Sequence, residues 1–174
     1  MPKKDKKKRE DVNFCDYIDT SIFLGYMFEQ GDSCKEYLDV VGYKSHNIGV
    51  ISHHVMSEIL INLLLKVKLD DHIKEEYAKE RAFKLLDLTI TKLREKGRLK
   101  ILKLTSRIVD PELFEELQSQ DTGLSDDDAF HLIEAIKERC QFFATTDEEI
   151  IQNKKLREYL VKNYNLKIKE IKLK

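Results

Sequence analysis

The sequence predicts an α/β protein, a parallel sheet covered on both faces by helices. Three observations predict it. Short apolar runs alternate with longer amphipathic ones along the whole chain, which is the signature of strands joined by helical crossovers. Glycine (6) and proline (2) are scarce in 174 residues, so most of the chain is expected in helices and strands with short loops. Hydrophobic residues make up 41% and charged residues 36%, charge-rich but enough for a core.

The first element is the strand Asn13 to Ile18, which runs into Asp19-Thr20-Ser21 and then an apolar helix from Ile22 to Phe28. Gly31-Asp32-Ser33 reads as a turn with a helix N-cap, opening a helix to about Val41 with Tyr37, Leu38 and Val41 inward. Gly42 stops it. Ile48 to Ile51 is a short apolar strand, and Ser52 caps a helix from about His53 to Lys66. Val55, Ile59 and Leu63 form its stripe; its second half is apolar nearly all round, so burial is expected. Glu58 lies in this setting and needs a partner.

A long helix is expected from Asp70 or Asp71 to about Lys96, with Phe83, Leu86, Ile90 and Leu93 as its apolar stripe. Gly97 ends it, and Leu99 to Leu104 reads as a strand. Asp110-Pro111-Glu112 opens a helix to about Ser119, with proline in the first turn. Ser125 N-caps the next helix with Asp128 three residues on, as in a capping box, and Ala129, Leu132, Ile133 and Ile136 face inward. Gln141 to Thr146 is an apolar strand ending at Asp147, repeating the pattern of the first strand. A helix from about Lys154 to Asn163 and an alternating edge strand from Leu166 to Leu173 complete the chain.

The formal net charge of -1 excludes a strong global field for gripping duplex DNA. Residues 1–12 are a basic, separable tail, and residues 13–174 are expected to form one domain. No apolar run is long enough to span a bilayer, and a soluble cytoplasmic protein is expected. Cys15, Cys34 and Cys140 have no CxxC spacing and are expected to be reduced and buried.

Four acids share one context. Asp19 and Asp147 end apolar strands, Glu58 sits in an apolar helix after a strand, and Asp128 opens a helix. In an open α/β sheet such junctions lie on the rim where sites form. Carboxylates gathered there would repel one another, and a hard divalent cation such as Mg²⁺ or Mn²⁺ would relieve the conflict. Each acid also has a bland reading: Asp19 and Asp147 as helix caps, Glu58 as the partner of a Lys or His, and Asp126, Asp127 and Asp128 as complements to a helix dipole. His54 and Glu58 share a helix face, as zinc ligands often do, but the second histidine of an HExxH pattern is absent and zinc is not expected. His131 reads equally as a crevice donor and as a plain helix-face histidine. The spacing of Asp16 and Asp19 is one residue too long for the DxD of haloacid-dehalogenase phosphatases.

Asp19-Thr20-Ser21, Ser57-Glu58, Asp128-Ala129-Phe130-His131-Leu132 and Thr145-Thr146-Asp147, in that order, resemble the PIN-domain ribonucleases, which include VapC-type toxins. The resemblance spans roughly Phe14 to Leu173. It implies a three-layer α/β/α sandwich around a mostly parallel sheet and Mg²⁺ or Mn²⁺-dependent endoribonuclease activity. It also implies RNA as substrate, a small antitoxin as partner, and a homodimer. Carried over residue by residue, it makes Asp19, Glu58, Asp128 and Asp147 the catalytic, metal-binding quartet, with Ser21 and Thr145 as supporting hydroxyls. Asp126 or Asp127 as the third acid stays open. So does a PIN-like module without catalysis that binds RNA or serves in assembly.

Overall fold

The structure is a computed structural model that describes residues 13–28, 32–43, 46–71, 74–103, 110–120 and 123–173. The expected basic tail, residues 1–12, lies outside them. Five strands form one parallel sheet: β1 (Asn13–Ile18), β2 (Ile48–Ile51), β3 (Leu99–Ile101), β4 (Cys140–Thr145) and β5 (Lys167–Glu170). Their order is β3-β2-β1-β4-β5. The chain therefore leaves β1 toward one edge, then crosses back to start β4 on its other side. That reversal opens a crevice at the carboxyl ends of β1 and β4. The register sets Tyr17 beside Val50 and Phe143, and Ile18 beside Ala144.

Eight helices flank the sheet among the described residues: α1 (Thr20–Met27), α2 (Asp32–Val40), α3 (His53–Asp71), α4 (Glu75–Glu95), α5 (Pro111–Gln120), α6 (Asp126–Lys137), α7 (Glu148–Gln152) and α8 (Lys154–Tyr164). The mixed, five-stranded parallel α/β arrangement is the one the sequence predicts. β5 lies at the sheet edge, as its alternation suggests. Tyr17, Ile18, Phe23, Ile51, Ile59, Leu132 and Phe143 are fully buried in the core. Cys15, Cys34 and Cys140 are free and buried, and the Cys15 and Cys140 sulfurs touch at 2.8 Å across β1 and β4.

Four local expectations need correction. The helix after Ser52 runs on to Asp71, because Val67 continues the Val55-Ile59-Leu63 stripe and no glycine or proline intervenes. Asp70 and Asp71 thus close α3 rather than open the next helix, and α4 begins at Glu75. The second half of α3 is not buried all round: Ile61 and Leu65 are more than half exposed. On α4 the inner stripe is Ala78, Ala82, Leu86, Ile90 and Leu93, and Phe83 is 54% exposed. Small alanines let a helix approach its neighbour closely, and a bulky Phe83 one position round is left outside. β3 is also shorter than expected, ending at Ile101; Leu104 lies outside the described residues.

Asp16 is 1% exposed, yet its charge is compensated. It accepts hydrogen bonds from the Tyr37 hydroxyl (3.0 Å) and the Asn47 amide (2.8 Å), and the Lys169 ammonium of β5 pairs with it. Strand alternation turns Asp16 and Tyr17 to opposite faces, so Asp16 is a structural acid away from the Tyr17 face.

Gly42 ends the α2 segment at φ +66, where a Cβ would stand 2.6 Å from the Arg98 Cα and 2.8 Å from its carbonyl oxygen. Gly97 has the similar φ of +64 but nothing within 4 Å. Gly97→Ala should cost about 1 kcal/mol, from backbone conformation alone. Gly42→Ala should cost roughly 2–3 kcal/mol, because the Arg98 backbone is held on both sides, its carbonyl by the Gly49 N–H and its own N–H by the Leu93 carbonyl. Urea unfolding of the two variants measures the difference, and equal losses would refute the close-approach argument.

Candidate functional site

The crevice is built from the ends of β1 and β4. Asp19 follows β1 directly and is 5% exposed. It N-caps α1, its Oδ1 accepting the Thr20 N–H at 2.8 Å. Its Oδ2 accepts the hydroxyls of Ser21 (2.6 Å) and Thr145 (2.7 Å). The Ser21 hydroxyl in turn accepts the Thr146 N–H at 3.1 Å, and the Thr145 hydroxyl accepts the Asp147 N–H at 2.9 Å. Two hydroxyls therefore tie the end of β1 to the end of β4, 126 residues later in the chain for Thr145 and Asp19. Asp147 N-caps α7, its Oδ1 accepting the Glu149 N–H at 2.7 Å. The capping role foreseen for both acids is real, and it fixes each carboxylate at the rim.

Asp128 is the third residue of α6. The Ser125 hydroxyl accepts the Asp128 N–H (3.1 Å) and donates to its Oδ2 (2.6 Å), close to the expected capping box. Burial raises the Asp128 carboxyl above its ordinary pKa, and the charges of Asp147 and Asp19 push the same way against the Ser125 hydrogen bond. Three acids from three junctions thus feel one another. Asp127 points elsewhere, its Oδ1 lying 3.1 Å from His54 Nε2, and Asp126 lies 3.4 Å from the Gln118 amide. Within the acidic run Asp128 is half-buried, whereas Asp126 and Asp127 are exposed.

Glu58 stands to one side of this group. Its Oε2 accepts the Thr20 hydroxyl and pairs with His131 Nε2 at 2.7 Å. Burial would raise Glu58, but the hydrogen bonds from His131 and Thr20 and the nearby histidine charges leave it below the ordinary carboxylate range. His131 is 2% exposed and bonded on both ring nitrogens. Its Nδ1 lies 3.0 Å from the Tyr17 hydroxyl, which donates to Glu134 at 2.5 Å. Burial alone would lower the His131 pKa; Glu134, Glu58 and the Asp19 charge outweigh it and raise the pKa to about 10. His131 is thereby an imidazolium held between two carboxylates, the buried-pair arrangement in which each charge needs the other.

The sequence singled out Glu58 and asked for its partner; that partner is His131. The roles of Tyr17, Thr20 and Glu134 were missed. Glu134 carried a signal: it falls three residues after His131, between the inward Ile133 and the buried Ala135 of α6. A carboxylate on an inner helix face implies a buried cation. Tyr17 gave none, since a tyrosine in an apolar strand reads as core.

Asp19, Asp128 and Asp147 offer carboxylate oxygens, the donors a hard divalent ion takes; among the described residues their ligand atoms do not converge within 4.8 Å as those of His54, Glu58 and His131 do. Burial, and after it the charges of Asp147 and Asp19, raise Asp128, and a bound cation would oppose that shift.

No protein-family model matches the chain, and no curated protein matches its sequence. Among solved structures it is similar to a chain of VapBC2 from Rickettsia felis, a complex bound to a DNA fragment from their promoter. The TM-score is 0.58 at 18% identity, over 90% of this chain and 98% of that one. The likeness is one of fold, and it agrees with the PIN-like architecture expected from the sequence. No helix among the described residues is long and apolar enough to cross a membrane.

Proposed function

We propose that this chain is a metal-dependent endoribonuclease of the PIN type. Asp19, Glu58, Asp128 and Asp147 are its catalytic and metal-binding acids, and Ser21 and Thr145 support Asp19. The observation that carries the reading is the Asp19 carboxylate, clamped by Thr20, Ser21 and Thr145 where β1 and β4 meet at the topological switch point of the sheet, with the Asp147 N–H bonded to the same Thr145 hydroxyl. A divalent ion of the Mg²⁺ or Mn²⁺ class, when bound, supplies a more acidic water and offsets charge on a phosphoryl oxygen. The chain's own residues do the positioning. Asp19 is clamped by three donors, so its carboxylate holds one orientation without reorganisation. Glu58 is kept ionised and aimed by His131 and Thr20. Asp147 is fixed by the α7 N-terminus.

The similarity to a VapBC complex supports an antitoxin as partner in the cytoplasm. The exposed Ile61 and Leu65 of α3 and Tyr77, Phe83 and Leu88 of α4 are apolar side chains that such a partner, or a second copy in a homodimer, would cover. A second reading has its own support. Asp19 and Asp147 both serve as helix caps and Glu58 is ion-paired, so the acids have structural work in a non-catalytic RNA-binding or assembly module.

Manganese titration calorimetry on the wild type and on Asp147→Asn separates the readings. Asparagine caps a helix as well as aspartate does, so the variant should melt like the wild type. Its Mn²⁺ affinity should fall at least about tenfold, the scale of losing a charged ligand. A wild type that binds no Mn²⁺ would move the conclusion to the non-catalytic module.

A further inference from the structure

The structure brings together what the sequence left incomplete. His54 and Glu58 occupy one face of α3, four residues apart, and α6 delivers His131 to the same place. Among the described residues this is the group whose ligand atoms, one from each of three residues, all lie within 4.8 Å of one another. The separations are 3.7 Å from His54 Nε2 to Glu58 Oε1 and 2.7 Å from His131 Nε2 to Glu58 Oε2. The two imidazole rings stand 4.9 Å apart between centroids, tilted by 55°.

We propose that His54, Glu58 and His131 form a second cation site, for a divalent transition ion of the zinc class. Donors about 2.0–2.1 Å from a tetrahedral ion lie about 3.3 Å from each other; the two histidines approach the two different oxygens of Glu58 at 3.7 and 2.7 Å, so shifts of about 1 Å or less bring each to that spacing. The donor set is two imidazoles and one carboxylate; His131 ligates through Nε2, releasing to solvent the proton it holds toward Glu58 in the metal-free protein, while Nδ1–H stays with the Tyr17 hydroxyl. Imidazole selects zinc-class ions, whereas Mg²⁺ prefers oxygen ligands alone. The surroundings are built as such sites are built. His131 is oriented through its other nitrogen by the Tyr17 hydroxyl, itself hydrogen-bonded to Glu134 and 3.0 Å from the Ser52 hydroxyl. Outer partners of this kind orient a metal-binding histidine and raise its basicity. A fourth donor is at hand: Asp127 Oδ1 lies 3.1 Å from His54 Nε2 on the exposed side.

Glu58 belongs both to this site and to the acidic set proposed above, so zinc binding here would draw Glu58 away from those acids. The zinc site does not require the nuclease reading to hold, and the two fail differently. Zinc titration calorimetry should show one ion per chain in the wild type. His54→Ala, at a side chain 36% exposed, should bind zinc at least about tenfold more weakly while keeping its melting midpoint. Asp147→Asn should bind zinc like the wild type. In the Co²⁺-loaded wild type, proton NMR should show hyperfine-shifted imidazole N–H signals from two histidines. No zinc binding by the wild type, unchanged affinity in His54→Ala, a loss confined to Asp147→Asn, or a Co²⁺ adduct without imidazole signals would each overturn the proposal.

Discussion

Asp19→Asn should abolish RNA cleavage, by about a thousandfold or more, while leaving the fold intact. Asparagine keeps the shape and the capping oxygen for the Thr20 N–H, so α1 still starts where it does. The amide replaces Oδ2, but the Ser21 and Thr145 hydroxyls that now donate to it can rotate to accept instead. What is lost is the negative charge at the most rigidly held carboxylate of the crevice. The test is cleavage of a total-RNA pool with Mn²⁺ alongside urea unfolding of the same preparations. An Asn variant that still cleaves would remove Asp19 from the catalytic set. Asp19→Ala is the instructive contrast. It should lose activity equally and also about 1 kcal/mol of stability, because the cap goes with the charge.

His131→Ala should be among the most destabilising single changes in the chain, by about 3–5 kcal/mol, since it leaves Glu58 and Glu134 facing each other across a vacated site. Its pH signature separates charge from packing. The His131 pKa is raised on folding, from an ordinary 6.5 to about 10. A raised pKa contributes stability that is fully present below about pH 6.5 and is lost as pH climbs through about 10. The gap in unfolding free energy between wild type and His131→Ala should therefore narrow between those limits, measured in urea with chelator present to exclude metal. A gap that stays constant with pH would mean that His131 contributes by packing alone.

Placement of His131 also explains why the crevice has two chemically distinct ends. On the side of Asp19 and Asp147 the polar partners are the Ser21 and Thr145 hydroxyls and backbone N–H groups. On the Glu58 side, two histidines from different helices compensate one carboxylate. The division follows from the sheet order: α3 follows β2 and α6 precedes β4, so the two helices reach the mouth of β1 from opposite sides of it in the strand order.

The sequence by itself determined the order and type of the strands and most helices, though not where α3 and β3 end. The period-two and period-3.6 patterns, the Ser125 cap and the apolar strands running into Asp19 and Asp147 all act within a few residues, so they are readable locally. Even there, the α4 stripe was misassigned to Phe83, because an alanine is a weak hydrophobic signal beside a phenylalanine; only the neighbouring α3 made Ala78 and Ala82 the inner positions. The tertiary structure alone decided which distant groups meet: His131 with Glu58 across 73 positions, Cys15 with Cys140 across 125, Thr145 with Asp19 across 126. It also decided that an incomplete HExxH face on α3 receives its second histidine from α6. Local pattern sets the period and cap of each element, but strand order and the packing of helices across it set what each side chain touches, and those depend on the whole chain at once.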